Sequence, residues 1–589
     1  MLGAFLLNLI MKYLLFIFCC SYLSSLYGQS LFPYSRFSDW QQAGQTTSFD
    51  SAYVVLDMNT FNIDPTGQAD CSQILQNAID QHDHVIFKFP SGEFKFENPV
   101  SLHAHQVIEG AGTEATHFVF NLGGASSAFS VSGSIAQNAV NVEGPIQKNQ
   151  QFLVCPQHNF SAGDWIYQQA DDTTLVTSSW AIGTTGQINQ VLQVSNDTIY
   201  LKTPLRRAYF GAVWVKRFLP IQEVGFRCFS VERQDDTAPS QTSTFQFYAT
   251  VNAFIQSVYS YKCTFSHAAI SCCAHVSIQK NYFTEGFSYG GGGRAYGVVL
   301  QQTTGDCLVE DNIFKHLRHS ILLQSGANGN VCTFNFSTDP YWQESLLTAN
   351  SAGELVLHGN YPYCNLFEQN SIGNIVIDNS HGANGPDNLF YRNRAILYGI
   401  FFSDQSSPNQ LFIGNEVTNT GFPYSLVNYS ILGSGHFQYA NNNKGVIVPA
   451  GTQLQIDTSF AYTQKPAFVG TGVWLHIGDQ PTLAYPIPAE NRWLNQAYFS
   501  TSCGQTDLTI QDWSAQLSCY PNPSAKEVHL KCSKPYFGNL ELRTIFGQTL
   551  LRTNMKGYEL TIDAELFPQG TYLLYLVDLK KSVAFIKIN

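Results

Sequence analysis

The chain has 589 residues, a formal net charge of −12 at pH 7, 13% charged residues and 14% aromatic residues. The acidic balance argues against nucleic acid or an anionic membrane surface as a partner. It argues only weakly against an anionic polysaccharide, because a local basic cleft can lie on an acidic body. The length is sufficient for one large elongated domain and one small domain.

Residues 1–28 are apolar, contain Lys12 as their single basic residue, and are typical of a secretory signal peptide. No later stretch has the ~18 apolar residues of a transmembrane helix, so we expect the mature chain to be exported without a membrane span. Beyond this peptide the chain has 12 cysteines and no CxxC pair, which argues against a zinc or redox motif and leaves disulfide pairing open. The cofactor is left unassigned, with Ca²⁺ as one option.

Residues 51–122 combine a helix signal with strands separated by turns. An amphipathic helix starting at Ser72 precedes strands predicted at Val85–Phe89, Gly92–Phe96 and Gln106–Glu109. The helix, the F-P-S-G-E-F run at 89–94 and the G-A-G turn at 110–112 resemble the N-terminal entry of pectate-lyase-like proteins. The resemblance implies an all-β fold, a right-handed parallel β-helix over about 50–495 whose first coil is closed by this N-terminal capping helix.

Residues 123–222 are less regular and interrupt the predicted solenoid. Strands are predicted at Phe152–Val154, Trp165–Gln168, Val191–Val194 and Thr198–Leu201. The region is therefore predicted to be a β-rich insertion between early coils, and the sequence assigns no function to it.

Residues 276–441 contain a repeated segment in which a short apolar strand ends on an asparagine. The spacing between neighbouring asparagines is 22–23 residues in three cases and longer in two. This period predicts a solenoid, because each segment is too short to bury its own apolar face. Asparagine tolerates left-handed backbone and hydrogen-bonds its neighbours, which suits a turn on every coil. The residues are Asn281, Asn312, Asn335, Asn370, Asn393 and Asn415.

A second repeated pattern lies upstream of the asparagines. In each repeat an apolar triplet is followed by a polar or small residue. If the coils stack in register, these residues form one column with members ~5 Å apart, the spacing of paired strands. The predicted column consists of Gln301, Gln324, His358, Asp378, Ser403 and Asn428.

The candidate site is this column and its flanks. His358 and Asp378 are predicted neighbours, close enough for a carboxylate to hold an imidazole. Competing interpretations are a polar ladder that only satisfies the turns and, for the arginines beside Asn393, bracing of a turn. The catalytic candidates are His358, His319, Asp378, Arg318 and His381, and the substrate-binding candidates are Gln324, Gln301, Arg392, Arg394 and Asp404.

The pectate-lyase-like resemblance implies that a polysaccharide binds along the outer face of one sheet. Histidine with arginine suits β-elimination beside a uronate carboxylate better than the carboxylate pair of a hydrolase. The motif sets of polygalacturonases and pectate lyases are absent, so the reaction class stays open. The predicted function is a secreted polysaccharide-cleaving protein, with a lyase favoured over a glycoside hydrolase. A non-catalytic glycan-binding or adhesive β-helix is the alternative.

The C-terminal region carries a second resemblance. Residues 496–517 are polar and predict a linker. Residues 518–589 contain Tyr520-Pro521-Asn522-Pro523, short alternating strands and glycine turns, which predict a small β-sandwich. They resemble the sorting domain of the type IX secretion system of Bacteroidetes, which implies the secretion machinery as a partner and a secreted or cell-surface location.

Overall fold

A computed structural model describes residues 32–46, 53–345, 348–419, 421–424, 428–454, 459–470, 474, 477–478, 486–499, 517–520, 522, 524–544, 549–576 and 581–588. The predicted signal peptide and most of the predicted linker lie outside these residues. The chain divides into two compact units, one of residues 1–45 and 49–507, the other of residues 46–48 and 508–589.

The first unit is a right-handed parallel β-helix with three faces, as the sequence predicted. Face 1 is a 13-stranded sheet. Faces 2 and 3 are the two halves of a 21-stranded sheet, joined where Ser371–Ile377 and Arg394–Phe402 each run through both. A coil therefore passes from face 1 through an asparagine corner to face 2, then to face 3, and returns to face 1.

The strands of each face follow in chain order. Face 1 consists of Val54–Asp57, Val85–Lys88, Gln106–Glu109, Ile221–Gln222, Val224–Arg227, Thr250–Gln256, Ala274–Gln279, Leu308–Glu310, Val331–Thr333, Leu366–Glu368, Leu389–Tyr391, Leu411–Ile413 and Phe437–Tyr439. Face 2 adds to the two shared strands Thr66–Asp70, Gly92–Phe96, Thr116–Phe120, Ser230–Arg233, Tyr259–Tyr261, Tyr282–Thr284, Ile313–Lys315, Phe336–Thr338, Glu416–Val417, Asn441–Asn443 and Val446–Val448. Face 3 adds Val100–Ser101, Phe129–Ser132, Ser243–Tyr248, Ser266–Ser271, Tyr296–Gln301, His319–Leu323, Leu355–Leu357 and Asn428–Ser430.

The helix predicted at the N-terminal end is present and spans Ser72–Gln81. Its buried side chains Leu75, Ala78 and Ile79 join the core inside the β-helix, so the helix covers the apolar end of the first coils. A second helix, Pro488–Leu494, lies near the end of the unit. The 3₁₀ turns are Tyr34–Arg36, Met58–Phe61, Ser179–Ala181, Ala349–Ser351 and Ala467–Val469.

The repeated asparagines form a continuous buried ladder at the corner between faces 1 and 2. Each side-chain amide donates to the side-chain oxygen of the next member at 2.8–3.0 Å, from Asn281 to Asn441. The left-handed backbone falls on the residue before the asparagine, for example Lys280 at φ 57° and Arg392 at φ 51°. The asparagine is therefore selected for its side-chain amide and not for its backbone conformation.

The insertion is smaller than the sequence predicted. Phe129–Ser132 still pairs within face 3, so the inserted subdomain begins after it. It is a six-stranded antiparallel sheet with its own apolar core, which includes Leu153, Ile166 and Val215. Its strands are Ser134–Asn141, Phe152–Val154, Trp165–Ala170, Gln187–Ser195, Thr198–Leu201 and Val213–Leu219.

The second unit is an antiparallel β-domain. The long strand Glu527–Thr544 pairs with Leu517–Tyr520 along its first half and with Gly570–Leu576 along its second half. Thr549–Asp563 also pairs with the long strand, and Lys581–Lys587 pairs with Gly570–Leu576, which completes the five strands. Together they enclose one apolar core.

Glu354 is a carboxyl group buried inside the β-helix between faces 2 and 3. Its Oε1 accepts the Ser337 hydroxyl at 2.5 Å, and its Oε2 accepts the backbone N–H of Asn374 at 3.1 Å. Burial raises the pKa of Glu354 to about 7, although these hydrogen bonds oppose the shift. Since the pKa of this carboxyl in an unfolded chain is its ordinary value of 4.5, unfolding releases a proton between about pH 4.5 and 7, and stability falls as pH rises through that window.

We therefore expect Glu354→Gln to stabilise the protein at pH 8, by an amount on the order of 2–3 kcal/mol, and to flatten the loss of stability between about pH 4.5 and 7. The amide oxygen of glutamine can accept from the backbone N–H of Asn374, and its NH₂ group can donate to Ser337, whose hydroxyl then donates to Ser320. The variant therefore keeps two hydrogen bonds without the desolvation cost of a charge. Thermal melting from pH 4 to 8 is the measurement, with Glu114→Gln at an exposed position as the control. A variant that is less stable at pH 8 and keeps the parental pH slope would contradict this assignment.

Candidate functional site

Segments outside the coils cover two of the three outer faces. Phe32 and Trp40 pack on face 1 with the apolar side chains of its later strands. Trp493, Tyr498 and Phe499 pack against Tyr282 on face 2. The segment after the last coil thus runs back along the side of the solenoid. The outer surface of face 3 is the one on which polar side chains line up.

The predicted column on face 3 is present over five of its six members. Leu300, Leu323, Leu357, Ile377 and Phe402 pair in succession, so the residues after them are in register from Gln301 to Ser403. Two contacts run along the column, from Gln324 Nε2 to Gln301 Oε1 at 2.7 Å and from His358 Nδ1 to Asp378 Oδ2 at 2.5 Å. The prediction for Asn428 is wrong, because this residue pairs with Gly399, four positions before Ser403.

Three imidazoles meet around His358, the middle member of the column. The ring centroid of His358 lies 4.9 Å from that of His381 and 5.8 Å from that of His319. Ser380 donates its hydroxyl to Asp378 Oδ2 at 2.5 Å and lies 3.4 Å from His358 Nδ1. His319 reaches the group because its Nδ1 contacts the Gly353 carbonyl at 2.5 Å, beside the strand that carries His358.

Burial and neighbouring charge set the protonation of this cluster. Burial alone would raise the pKa of Asp378, but the hydrogen bond and charge of His358, with hydrogen bonds from Ser380, hold it below its ordinary value. Burial, Arg318 and His358 together lower the pKa of His319 to about 3, so this imidazole is neutral at neutral pH. Burial and the charge of His358 also lower the pKa of His381.

Two buried nitrogens beside the cluster have no hydrogen-bond partner among the described residues. They are Nε2 of His319 and Nε of Arg318. The Arg318 guanidinium lies 5.2 Å from the Trp342 ring and 5.8 Å from the Tyr296 ring, and its Nη1 donates to the Gly290 carbonyl at 2.8 Å. These contacts fix the position of the Arg318 side chain, so it acts on the site chiefly as a fixed positive charge.

One loop of the inserted subdomain, residues 177–186, runs beside the column. The backbone N–H of Thr177 donates to Asn360 Oδ1 at 3.0 Å, and the Thr184 hydroxyl accepts from Ser325 at 3.1 Å. Between these anchors the Trp180 ring meets His381 edge to face, with centroids 5.6 Å apart. Trp180 is 43% exposed, so it presents an aromatic surface at the rim of the histidine cluster.

Three of the predicted substrate-binding residues do not reach the cluster. Arg392 is buried beneath Ile477, whose carbonyl accepts from its Nη1 at 3.1 Å, and Arg394 pairs with Glu416 at 3.0 Å. Both arginines flank the asparagine corner, on the opposite side of the coil. The Asp404 carboxylate bonds Asn379 and Ser406 one residue past the column. Gln301 and Gln324 remain in the column beside the site.

Sequence reasoning missed two site residues, Ser380 and Trp180, of which Trp180 carried the weaker signal. Trp180 lies in an insertion without a repeat, so no register related it to His381. The sequence signal was an aromatic residue in a polar run, TTLVTSSWAIGTTG, which is typical of many loops. Among the residues that the structure describes, no three His, Cys, Asp or Glu side chains are grouped as metal ligands.

The comparison with known families identifies the C-terminal unit. Residues 518–588 match the model of the secretion system C-terminal sorting domain. The second unit is a type IX secretion sorting domain. The chain is therefore exported by the type IX system to the cell surface or beyond it. Within the described ranges, no helix is both long enough and apolar enough to cross a bilayer.

Comparisons of the whole chain with curated proteins and with solved structures give no family for the first unit. No curated protein matches the sequence. The tailspike of Pseudomonas phage LKA1 is 12% identical, with a TM-score of 0.46, over 90% of this chain and 98% of that one. An exopolygalacturonase of Thermotoga maritima is 10% identical, with a TM-score of 0.38, over 69% and 94%. The adhesin PfbA of Streptococcus pneumoniae is 13% identical, with a TM-score of 0.33, over 66% and 84%.

Proposed function

We propose that this protein cleaves a polysaccharide on the outer surface of face 3, with His358 as the residue that takes the proton. The observation that carries the proposal is the 2.5 Å pair between His358 and Asp378, with the rings of His319 and His381 beside it. A carboxylate bound to one ring nitrogen fixes the orientation of an imidazole and favours its protonated form. A column of polar side chains that only hydrogen-bonded the backbone of the turns would not require three histidines and an aspartate to lie together.

We infer different roles for the two ring nitrogens of His358. Nδ1 contacts Asp378, so we infer that it carries the proton donated to the carboxylate. Nε2 is then the nitrogen that accepts a proton from substrate. The resulting imidazolium is stabilised by Asp378, whose pKa is held low by His358 and Ser380, so the carboxylate stays ionised.

Elimination fits this site better than hydrolysis. A hydrolase places two carboxyl groups on either side of the glycosidic bond. Here Asp378 is already bound to His358, and Glu354 points into the core and contacts Ser337. In elimination, His358 takes the proton on the carbon next to a uronate carboxylate. The electron pair forms a carbon–carbon double bond, and the glycosidic oxygen leaves and takes up a proton from the His358 imidazolium or from water.

A non-catalytic glycan-binding protein is the second candidate, and the exposed Trp180 favours it. Aromatic rings at a rim bind the apolar face of a sugar, and binding alone needs no base. The same surface serves either function, so the two candidates differ only in whether a bond breaks after binding.

The test is to incubate the purified protein with polysaccharides that contain uronate and with neutral ones. Ultraviolet absorbance of unsaturated uronate and the release of reducing ends are followed together, and binding is measured in parallel. We expect absorbance and reducing ends to rise together on one uronate polymer. Reducing ends without absorbance would indicate hydrolysis instead. Binding with neither signal on any bound polymer would establish the non-catalytic candidate.

A further inference from the structure

A pocket lies between the inserted subdomain and face 3, at a distance from the histidine cluster. Its volume is about 290 Å³, close to the lower limit of small-molecule sites. Tyr248, Cys272 and Gln302 line it from the β-helix, and Gln137 and Lys216 line it from the subdomain. The size suits a single sugar ring.

Three polar side chains of this pocket have no hydrogen-bond or ion-pair role in the fold. Lys216, Gln137 and Gln302 make no side-chain hydrogen bond or ion pair to any residue the structure describes. Lys216 is the charged residue of the lining, and no carboxylate shares the pocket with it. A lysine without a counter-ion beside two free amides is suited to bind a carboxylate and neighbouring hydroxyl groups.

The pocket lies on the same column as the histidines. Tyr248 pairs with Ser271, and Ser271 pairs with Gln301. The Ser271 hydroxyl accepts from Gln301 at 3.0 Å, and Gln301 accepts from Gln324, which precedes His358 in the column. Four strand spacings separate Tyr248 from His358, which corresponds to ~19 Å.

The loop of residues 177–186 also connects the pocket to the histidine cluster, on the side opposite the β-helix. Thr184 lines the pocket, and Trp180 in the same loop lies against His381. The Thr303 hydroxyl donates to the Thr184 carbonyl at 2.5 Å, so the loop is fixed to the corner that follows Gln301. A glycan chain lying along the column would therefore have the β-helix beneath it and this loop as its wall.

We propose that the pocket is a distal subsite for an acidic sugar, whose carboxylate binds Lys216 while the same glycan chain extends to His358. The proposal deepens the proposed function, on which it rests, because it makes the substrate an anionic polysaccharide with an acidic residue several sugars from the site of cleavage. A protein with net charge −12 needs a local cation for such a ligand, and Lys216 supplies it.

The test separates pocket binding from cleavage. Glucuronate, galacturonate and neutral glucose are titrated into the full-length protein and followed by ligand-observed NMR. We expect both uronates to bind the parental protein more tightly than glucose. Lys216→Met should weaken uronate binding about tenfold, and Lys216→Arg should retain most of it. Lys88→Met, at an exposed lysine on face 1, should leave binding unchanged.

Gln137→Ala provides a second variant at an exposed position, in case Lys216→Met folds poorly, and should also weaken uronate binding. Uronate binding that depends on Lys216 would support the pocket even if no polysaccharide is cleaved, in which case only the proposed function fails. Equal binding of glucose and the uronates, or equal uronate binding by the parental protein, Lys216→Met and Gln137→Ala, would overturn the subsite even if cleavage is found.

Discussion

His358→Ala is expected to lower turnover of the true substrate by roughly 10²–10⁴, the usual effect of removing one positioned acid or base. The melting temperature should stay close to that of the parental protein. The side chain of His358 lies on the outer surface of face 3, and its strand is held by Leu355, Val356 and Leu357, which pair with both neighbouring strands. Turnover and thermal melting are to be measured on the same preparation.

Asp378→Asn gives a matched second variant, because it keeps the shape of the partner and removes its charge. We expect a smaller loss of turnover than in His358→Ala, because the asparagine oxygen can still accept from Nδ1 but carries no charge to stabilise the imidazolium that forms. Gln301→Ala tests a column residue two strand spacings, ~10 Å, from His358 and should lower turnover less than His358→Ala. A folded His358→Ala, His319→Ala double variant that turns over substrate at the parental rate would refute the assignment.

Asn370→Ala is expected to cause the largest loss of stability, on the order of 3 kcal/mol or more. Its Nδ2 donates to Asn393 Oδ1 and to the Cys332 carbonyl, both at 2.8 Å. Its Oδ1 accepts both the backbone N–H of Asn335 at 3.1 Å and the Nδ2 of Asn335 at 2.9 Å. Alanine would leave these groups buried without partners, each at a cost of about 1–3 kcal/mol.

The control is Asn138→Ala, which removes an exposed asparagine of the inserted subdomain and should change stability by less than about 0.5 kcal/mol. Urea unfolding followed by far-ultraviolet circular dichroism compares the two variants. If Asn370→Ala unfolds at the same urea concentration as the control, the ladder does not stabilise the coils in the way that its hydrogen bonds indicate.

The coil register could be predicted because it repeats. Each apolar triplet in face 3 has the same inward and outward pattern, so Gln301, Gln324, His358, Asp378 and Ser403 could be aligned from the sequence alone. The alignment failed at Asn428, where the preceding triplet, at 425–427, contains a serine and lies outside the described residues. A triplet of weaker apolar character does not determine which residue faces the core.

The rest of the site could not be predicted, because it depends on contacts outside the repeat. Arg392 and Arg394 are buried by the C-terminal segment through Ile477 and Glu490, which lie some 80–100 residues away in sequence. His319 points outward because both Ser320 and Ile321 donate to the Glu354 carbonyl, which bends the strand. The strict alternation of inward and outward residues along a strand does not predict that bend.

The inserted subdomain leaves and re-enters the β-helix at nearly one point. Gly133, just before the subdomain, lies very close to Leu219 and Ile221, just after it. A Cβ added to Gly133 would lie 2.7 Å from the Leu219 carbonyl oxygen and 2.8 Å from the Ile221 amide nitrogen. Closing a chain loop of this length costs only ~1 kcal/mol more than closing an ordinary coil, because loop-closure entropy grows with the logarithm of length. The solenoid can therefore tolerate lengthening, shortening or exchange of the subdomain that carries Trp180 and Lys216. If the proposed subsite is correct, its ligand preference can diverge while the coils and their histidines stay unchanged.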